Sequence, residues 1–329
     1  MKKMRLGIIG PGLIWQKTHE KIITEMSDFF IIAAFSARSK KSEEKVKEKY
    51  PDLPFYSDYN DLLASPDIDA VIIMTPIPLN APATKAALEA GKTVFVEKPF
   101  CLTVEEGNEL IELKHKVRKE IFILEQVAYL PATIRIKELI ADNKLGTPIS
   151  FDLKGHFRMT KSTDPDSFAS TSWRQNPEFP LGTLTDGGVH DLAKLSTIFG
   201  PPKAVTATGR KFREDFGEFD HILLLLEYEN GISGTFSHSS DMPFRFGFEI
   251  FGTDASYNES GGEAIIKGKD GENKLDALDR DSHRIMWRHF KECMQQDTPP
   301  DFTAEKALDD IKLLNAIKRS ISTNSKVYI

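Results

Sequence analysis

The 329-residue chain has only two cysteines, Cys101 and Cys293, far apart and outside any Cys-x-x-Cys spacing. That argues against a disulfide framework and a zinc ribbon, and fits two reduced thiols in a cytoplasmic protein. An excess of positive charge is also missing, since 43 Lys and Arg against 49 Asp and Glu leave a formal net charge of −6. Nucleic-acid binders show a basic patch or stripe, so no nucleic-acid partner is expected, while a small neutral or anionic ligand stays open. Long hydrophobic runs are absent too: VIIM and ILLLL fall far short of the ~18 apolar residues that suggest a membrane span. Lys2, Lys3 and Arg5 before LGIIG imitate a secretory leader only until Gly10-Pro11-Gly12 interrupts the apolar run. The expectation is a soluble, cytoplasmic protein.

What is present is an ordinary globular composition, 40% hydrophobic and 28% charged, in a chain long enough for two domains. The first part alternates strand and helix. Arg5 to Ile9 is short and apolar, as a strand buried on both faces would be. A helix is expected over 13–26, a second strand over Phe29 to Phe35, and a polar helix in SARSKKSEEKVKEKY. VIIMTP (71–76) is a further strand, ATKAALEAG (83–91) a helix stopped at Gly91, and KTVFVEKPF a strand with its exit. This repetition implies a doubly wound parallel sheet, whose ligands lie beyond the carboxyl ends of its strands.

Three segments fall at such ends: Gly10 to Trp15, Ser36 to Lys40, and Thr75 with Pro76. Gly10-x-Gly12 follows a strand and opens a helix, the context of a dinucleotide site. Gly10 permits the tight turn, and Gly12 lets a pyrophosphate approach the backbone N–H groups around Leu13 and Ile14. Trp15 stands where a third small residue normally packs helix on sheet, so either the helix is displaced or the indole points toward the cofactor cleft or a neighbouring segment. NAD sites carry an acidic side chain at the end of the second strand. FSARSKK offers Ser36, Arg38, Ser39, Lys40 and Lys41 instead, which favours NADP over NAD.

After Leu145-Gly146-Thr147-Pro148 the texture changes. FDLKGHFR (151–158) alternates apolar and polar residues like a strand with one wet face, and Asn230-Gly231 between two β-rich runs signals a hairpin. RFGFEIFGT supplies another strand. Residues 1–124 are expected to form the Rossmann dinucleotide-binding domain. Residues 125–329 are expected to form an α/β domain with a large, mostly antiparallel open sheet for substrate binding and oligomerisation. Within it, Asp186 and His190 are four apart at the start of an apparent helix, which puts both on one face, with Gly187 and Gly188 leaving room for a ligand. The plain alternative is a helix-capping Asp186 and a buried, satisfied His190. Asp186, His190 and His156 form no dense ligand motif, so no metal is expected.

GIIGPGLIWQKTH, ALEAGKTVFVEKPF and GTLTDGGVHDL, in this order, resemble the Gfo/Idh/MocA oxidoreductases, and PPDFTAEKALDDIKLLNAI (299–317) is similar to that family's C-terminal segment. Glu97-Lys98-Pro99 resembles the family's E-K-P motif, and Asp186-x-x-x-His190 its D-x-G-x-H motif. The resemblance implies Lys98, Asp186 and His190 around the substrate carbon, with Thr75, Pro76, Glu97 and Lys98 beside the cofactor. It also implies Trp173 and Arg174 as substrate wall and anchor, with Tyr129 of EQVAYLPAT among the substrate-binding residues. Asn80 stands where many members carry histidine, and Gln16, Lys17 and His19 resemble one subgroup's Q-K-x-H. The implied substrate is a sugar, cyclitol or related polyol, and the implied assembly a homodimer or homotetramer.

Oxidising a secondary alcohol needs a base for the hydroxyl proton while hydride leaves carbon. His190 is the candidate base, Lys98 the stabiliser of the alkoxide, and Asp186 the group that holds the imidazole or the substrate hydroxyls in register. The alternative is a regulatory protein of the same fold that binds a dinucleotide without turnover.

Overall fold

The computed structural model describes residues 3–269, 271–279 and 281–329, so Lys2 of the leader-like start lies outside the described residues. The chain divides into two compact units, Met1–Gln126 with His283–Leu308, and Val127–Ser282 with Asp309–Ile329.

The first unit is built on β1 (Met4–Ile9), β2 (Phe30–Ser36), β3 (Phe55–Tyr56), β4 (Ala70–Ile73), β5 (Thr93–Glu97) and β6 (Ile121–Leu124). They form one sheet in the order β3-β2-β1-β4-β5-β6 with every pair parallel. Parallel pairing buries both faces, which explains why the central strands are unbroken apolar runs: Leu6, Ile8, Ile72, Val94 and Phe95 have no exposed surface. The crossovers are α1 (Glu20–Glu25), α2 (Lys40–Lys49), α3 (Tyr59–Ala64), α4 (Asn80–Glu89) and α5 (Val104–Val117). A capping box starts α5: Thr103 Oγ1 accepts from Glu106 N at 3.1 Å, and Glu106 Oε2 accepts from Thr103 N at 3.2 Å. Strand order reverses between β1 and β4, which opens a crevice at their carboxyl ends.

The first crossover differs from the regular helix expected over 13–26. It opens with a π-helical turn, Trp15–His19, before α1. The indole of Trp15 is buried and meets the Phe35 ring of β2 edge-on at 6.1 Å. The extra residue in a π-turn widens it, and this is how a bulky side chain fits where helix and sheet normally touch through a small one. Trp15 is therefore a core residue packed on the neighbouring strand.

The second unit contains α6 (Pro131–Ala141), β7 (Pro148–Arg158), α7 (Ser172–Gln175), α8 (Val189–Phe199), β8 (Ala204–Arg210), β9 (His221–Glu227), β10 (Ser233–Ser239), β11 (Asp241–Gly252), β12 (Ala255–Ser260), β13 (Glu263–Gly268) and β14 (Gly271–Lys274). After α9 (Ser282–Gln296) and α10 (Ala304–Thr323), β15 (Val327–Tyr328) closes one edge. The nine-stranded order is β14-β13-β12-β11-β7-β10-β9-β8-β15, antiparallel except for β7 beside β10. Asn230-Gly231 makes the β9–β10 hairpin turn, as expected, with Gly231 at φ +86°.

One face of this sheet is covered. Phe151 stacks on Phe199 of α8 at 5.1 Å, and Ser320 Oγ of α10 accepts from Ala207 N at 2.9 Å. The other face carries Asp152, Lys154, His156, Thr235 and Ser237, with Leu223 and Leu225 44% and 42% exposed. Within the first unit, α9 brings Trp287 and Phe290 onto the sheet, against Phe95 at 4.9 Å and Phe122 at 5.0 Å. Among the described residues no helix is long and apolar enough to cross a membrane.

Candidate functional site

The glycine turn lies at the carboxyl end of β1. Gly10 adopts φ +78°, and a Cβ there would sit 2.6 Å from the Met74 carbonyl oxygen at the end of β4, so the turn admits glycine alone. Gly12 is different. A Cβ there would find no neighbour nearer than 3.9 Å, so the protein's own packing does not demand glycine. The open space lies where the helix begins, where first-turn N–H groups and the positive end of the helix dipole favour an anion. The turn thus leaves room for an anion beside Gly12.

Ser36 ends β2, buried, and its carbonyl accepts from Gly10 N at 2.9 Å. The next residues, Arg38 to Lys41, are exposed, and Ser39 caps α2 by accepting from Ser42 N at 3.1 Å. Residues 36–41 include no carboxylate. Thr75 and Pro76, half-buried, follow β4.

Glu97 ends β5, and Lys98 and Pro99 follow, with a cis bond before the proline. Glu97 and Lys98 are half-buried. The backbone around Lys98 is held by the fully buried Asn80, whose Nδ2 donates to the Glu97 carbonyl at 3.0 Å and to the Pro99 carbonyl at 2.9 Å. The Glu97 side chain is held by His19, Nε2 to Oε1 at 3.0 Å, and Trp287 Nε1 donates to His19 Nδ1 at 3.0 Å.

In the second unit, Asp186 lies within a π-turn, Leu184–Gly188, that runs directly into α8. The helix thus starts before Asp186, and neither it nor α8 has a side-chain cap, so the capping alternative does not hold. Asp186 instead binds Arg174 of α7: Nε donates to Oδ2 at 2.7 Å and Nη2 to Oδ1 at 3.5 Å. The Arg174 guanidinium also stacks over Trp173 at 4.0 Å and reaches Thr171 Oγ1 at 3.4 Å. Trp173, Arg174, Asp186 and His190 are all half-buried, so His190 is not a core histidine, while Tyr129 is only 4% exposed. The structure thus gathers Trp173, Arg174 and Asp186 into one cluster with His190 four residues on.

Beneath that cluster lies a residue sequence reasoning passed over, His238 of β10. It is buried between the rings of Phe157 and Phe236, and its Nε2 lies 3.1 Å from Thr183 Oγ1. Burial pushes its pKa down to about 3, with the nearby His156 and His221 adding to the effect, so the ring is neutral. A Cβ on Gly188 would come within 2.9 Å of His238 Nδ1 and 2.6 Å of Leu184 Cδ1. Gly188 is therefore where the Asp186 turn rests on the sheet. His156 Nε2 lies 2.8 Å from Ser237 Oγ, and no group of three metal-ligating side chains occurs among the described residues. His238, Trp287 and the clamp made by Asn80 carried no local sequence signal, because their partners are distant in the chain.

Residues 4–124 match the model described as the oxidoreductase family's NAD-binding Rossmann fold, and residues 137–329 match that family's C-terminal alpha/beta domain. The chain is 24% identical to the scyllo-inositol 2-dehydrogenase (NADP(+)) IolW of Bacillus subtilis, over 96% of this chain and 93% of that one. It is 29% identical to the trans-1,2-dihydrobenzene-1,2-diol dehydrogenase of Mus musculus, over 73% of this chain and 70% of that one. An oxidoreductase of Thermotoga maritima shares the fold with a TM-score of 0.91 at 28% identity, covering 99% of this chain and 98% of that one. The chain belongs to the Gfo/Idh/MocA family of NAD(P)-dependent oxidoreductases.

Proposed function

We propose that the protein moves a hydride between a nicotinamide and a secondary alcohol or its carbonyl on a sugar, cyclitol or related polyol, with NADP preferred to NAD. The observation that carries the reading is the glycine cradle: Gly10 is needed by the fold, whereas Gly12 borders space that the protein's own packing leaves open. The carboxylate-free end of β2, with Arg38 exposed, supports a 2′-phosphate. Similarity to relatives named for an inositol and a cyclic diol supports the polyol class.

In this reading Gly10, Gly12, Leu13 and Ile14 hold the pyrophosphate, Ser36 and Arg38 the adenosine ribose, and Thr75, Pro76, Glu97 and Lys98 the nicotinamide end. The bound nicotinamide supplies the hydride acceptor or donor. Lys98 stabilises negative charge on the substrate oxygen, and His190 takes or returns the hydroxyl proton. Asp186 shares its charge with Arg174, so its contribution is orientation of His190 and of substrate hydroxyls. Trp173 and Tyr129 shape the substrate wall. Residues 1–124 serve the dinucleotide and residues 125–329 the substrate and the association of copies. The exposed Leu223, Leu225 and Phe251 on the open sheet face support a homodimer or homotetramer.

The test is reduced-nicotinamide absorbance with NADP and NAD against a panel of sugars and cyclitols, with Lys98→Ala as control. Turnover cut steeply but measurably by that substitution supports the reading. Tight coenzyme binding without turnover on any member of the panel would favour the regulatory alternative.

A further inference from the structure

Asn80 was noted in the sequence only as a departure from histidine, but its surroundings give it a specific task. It is fully buried at the start of α4, and three of its carboxamide's four hydrogen-bonding positions are engaged. Thr75 Oγ1 donates to Oδ1 at 2.8 Å, while the two Nδ2 hydrogens go to the carbonyls of Glu97 and Pro99 at 3.0 and 2.9 Å. The amide orientation is unambiguous, because the reverse assignment would set Oδ1 against two carbonyl oxygens.

The last paired residues of the β4–β5 ladder are Ile73 and Val96. Past that point β5 keeps β6 alone beside it, through the pair Glu97 and Leu124. The carboxamide of Asn80 grips the backbone carbonyls of the residues before and after Lys98. Its third bond ties the same amide to Thr75 at the end of β4. We propose that Asn80 is the positioning residue of Lys98, fixing the direction of the amine relative to the nicotinamide wall formed by Thr75. The inference rests on the reading of Lys98 as the group that works on the substrate oxygen.

The experiment combines a kinetic cycle with a readout that needs no turnover. Asn80→Ala is made in the native chain and in Lys98→Ala, and the Lys98 amine is followed by 13C NMR after reductive 13C-methylation. Asn80→Ala is expected to lower kcat by about 10- to 100-fold, as loss of orientation does, with the coenzyme KM within about twofold. In the Lys98→Ala background the same substitution is expected to cost less than about twofold, the non-additivity of residues that act as a unit. The Lys98 methyl resonance moves toward that of exposed lysines. Asn80→His, which keeps one N–H donor and the bulk of the site, is expected to restore most of the rate and serves if the alanine variant does not fold. Equal fold-losses in both backgrounds, or an unchanged Lys98 resonance in a folded Asn80 variant, would overturn the proposal. If no substrate turns over, the proposed function fails on its own, and the resonance alone decides whether Asn80 poses Lys98.

Discussion

Glu97 Oε1 lies 3.0 Å from His19 Nε2, across a segment of 78 residues, in a pair whose proton can be placed. The indole N–H of Trp287 is a donor only, so the Nδ1 it reaches at 3.0 Å must present a lone pair. The ring therefore carries its hydrogen on Nε2 and donates it to the Glu97 carboxylate, in a neutral imidazole with both nitrogens satisfied.

Trp287→Phe keeps most of the ring packing and strips the donor from the buried His19. The expected cost is about 1–3 kcal/mol of stability, the price of an unsatisfied buried polar atom, measured by chemical denaturation. The 15N shifts of His19 in the native protein should show the Nε2–H tautomer. An Nδ1–H tautomer or an unchanged denaturation midpoint would contradict the relay.

The two glycines of the turn should part company. Gly10→Ala meets the Met74 carbonyl at 2.6 Å with an unfavourable φ, so it should destabilise the fold, by at least ~2 kcal/mol. Gly12→Ala enters open space, with nothing nearer than 3.9 Å, and should leave the melting temperature unchanged or slightly raised while weakening coenzyme binding, by about tenfold or more. Calorimetric titration beside thermal unfolding separates the effects. Undiminished coenzyme binding by Gly12→Ala would remove the basis for the cradle.

Arg174 is engaged with Asp186 before any substrate arrives. Arg174→Gln should therefore lower stability as well as raise the substrate KM, by roughly 1.5–3 kcal/mol for the lost charge-assisted bonds. A rise in KM with stability unchanged would mean that the guanidinium serves the substrate alone.

His238 gives the second unit a pH dependence of definite sign. Burial lowers its folded-state pKa from 6.5 to about 3, so between these values the unfolded chain holds a proton that the folded one does not. Stability is complete above the upper value and falls as pH drops through the window, with a slope of up to about 1.4 kcal/mol per pH unit from this one proton. His238→Asn should flatten the slope between pH 6 and pH 4, at some cost in stability at pH 7 from the lost packing. An unchanged slope in urea denaturation across that range would refute the assignment.

Much of the fold was legible because its signals are local. The apolar runs from Arg5 to Ile9 and in VIIM lie inside β1 and across β4, and Asn230-Gly231 turns the hairpin it signals. The alternation in FDLKGHFR marks β7 as one-sided. Helix starts were less legible: α4 begins at Asn80, ahead of the expected 83, because a 3₁₀ turn, Ile77–Leu79, leads into it. The two π-turns were invisible, since an inserted residue answers to what the helix must pack around, here Trp15 against Phe35 and the Asp186 turn against His238.

The order of residues along the chain determined the strand and helix succession, the glycine turn, and the side chains offered at the strand ends, because period and turn chemistry act between near neighbours. Tertiary structure alone decided how those side chains are held. The indole that orients His19 comes from 268 residues away, the amide that grips Lys98 on both sides comes from a helix before β5, and the guanidinium on Asp186 comes from another element. Each is a directional bond made after the backbone has been folded into place, and no pattern of neighbouring residues encodes its geometry.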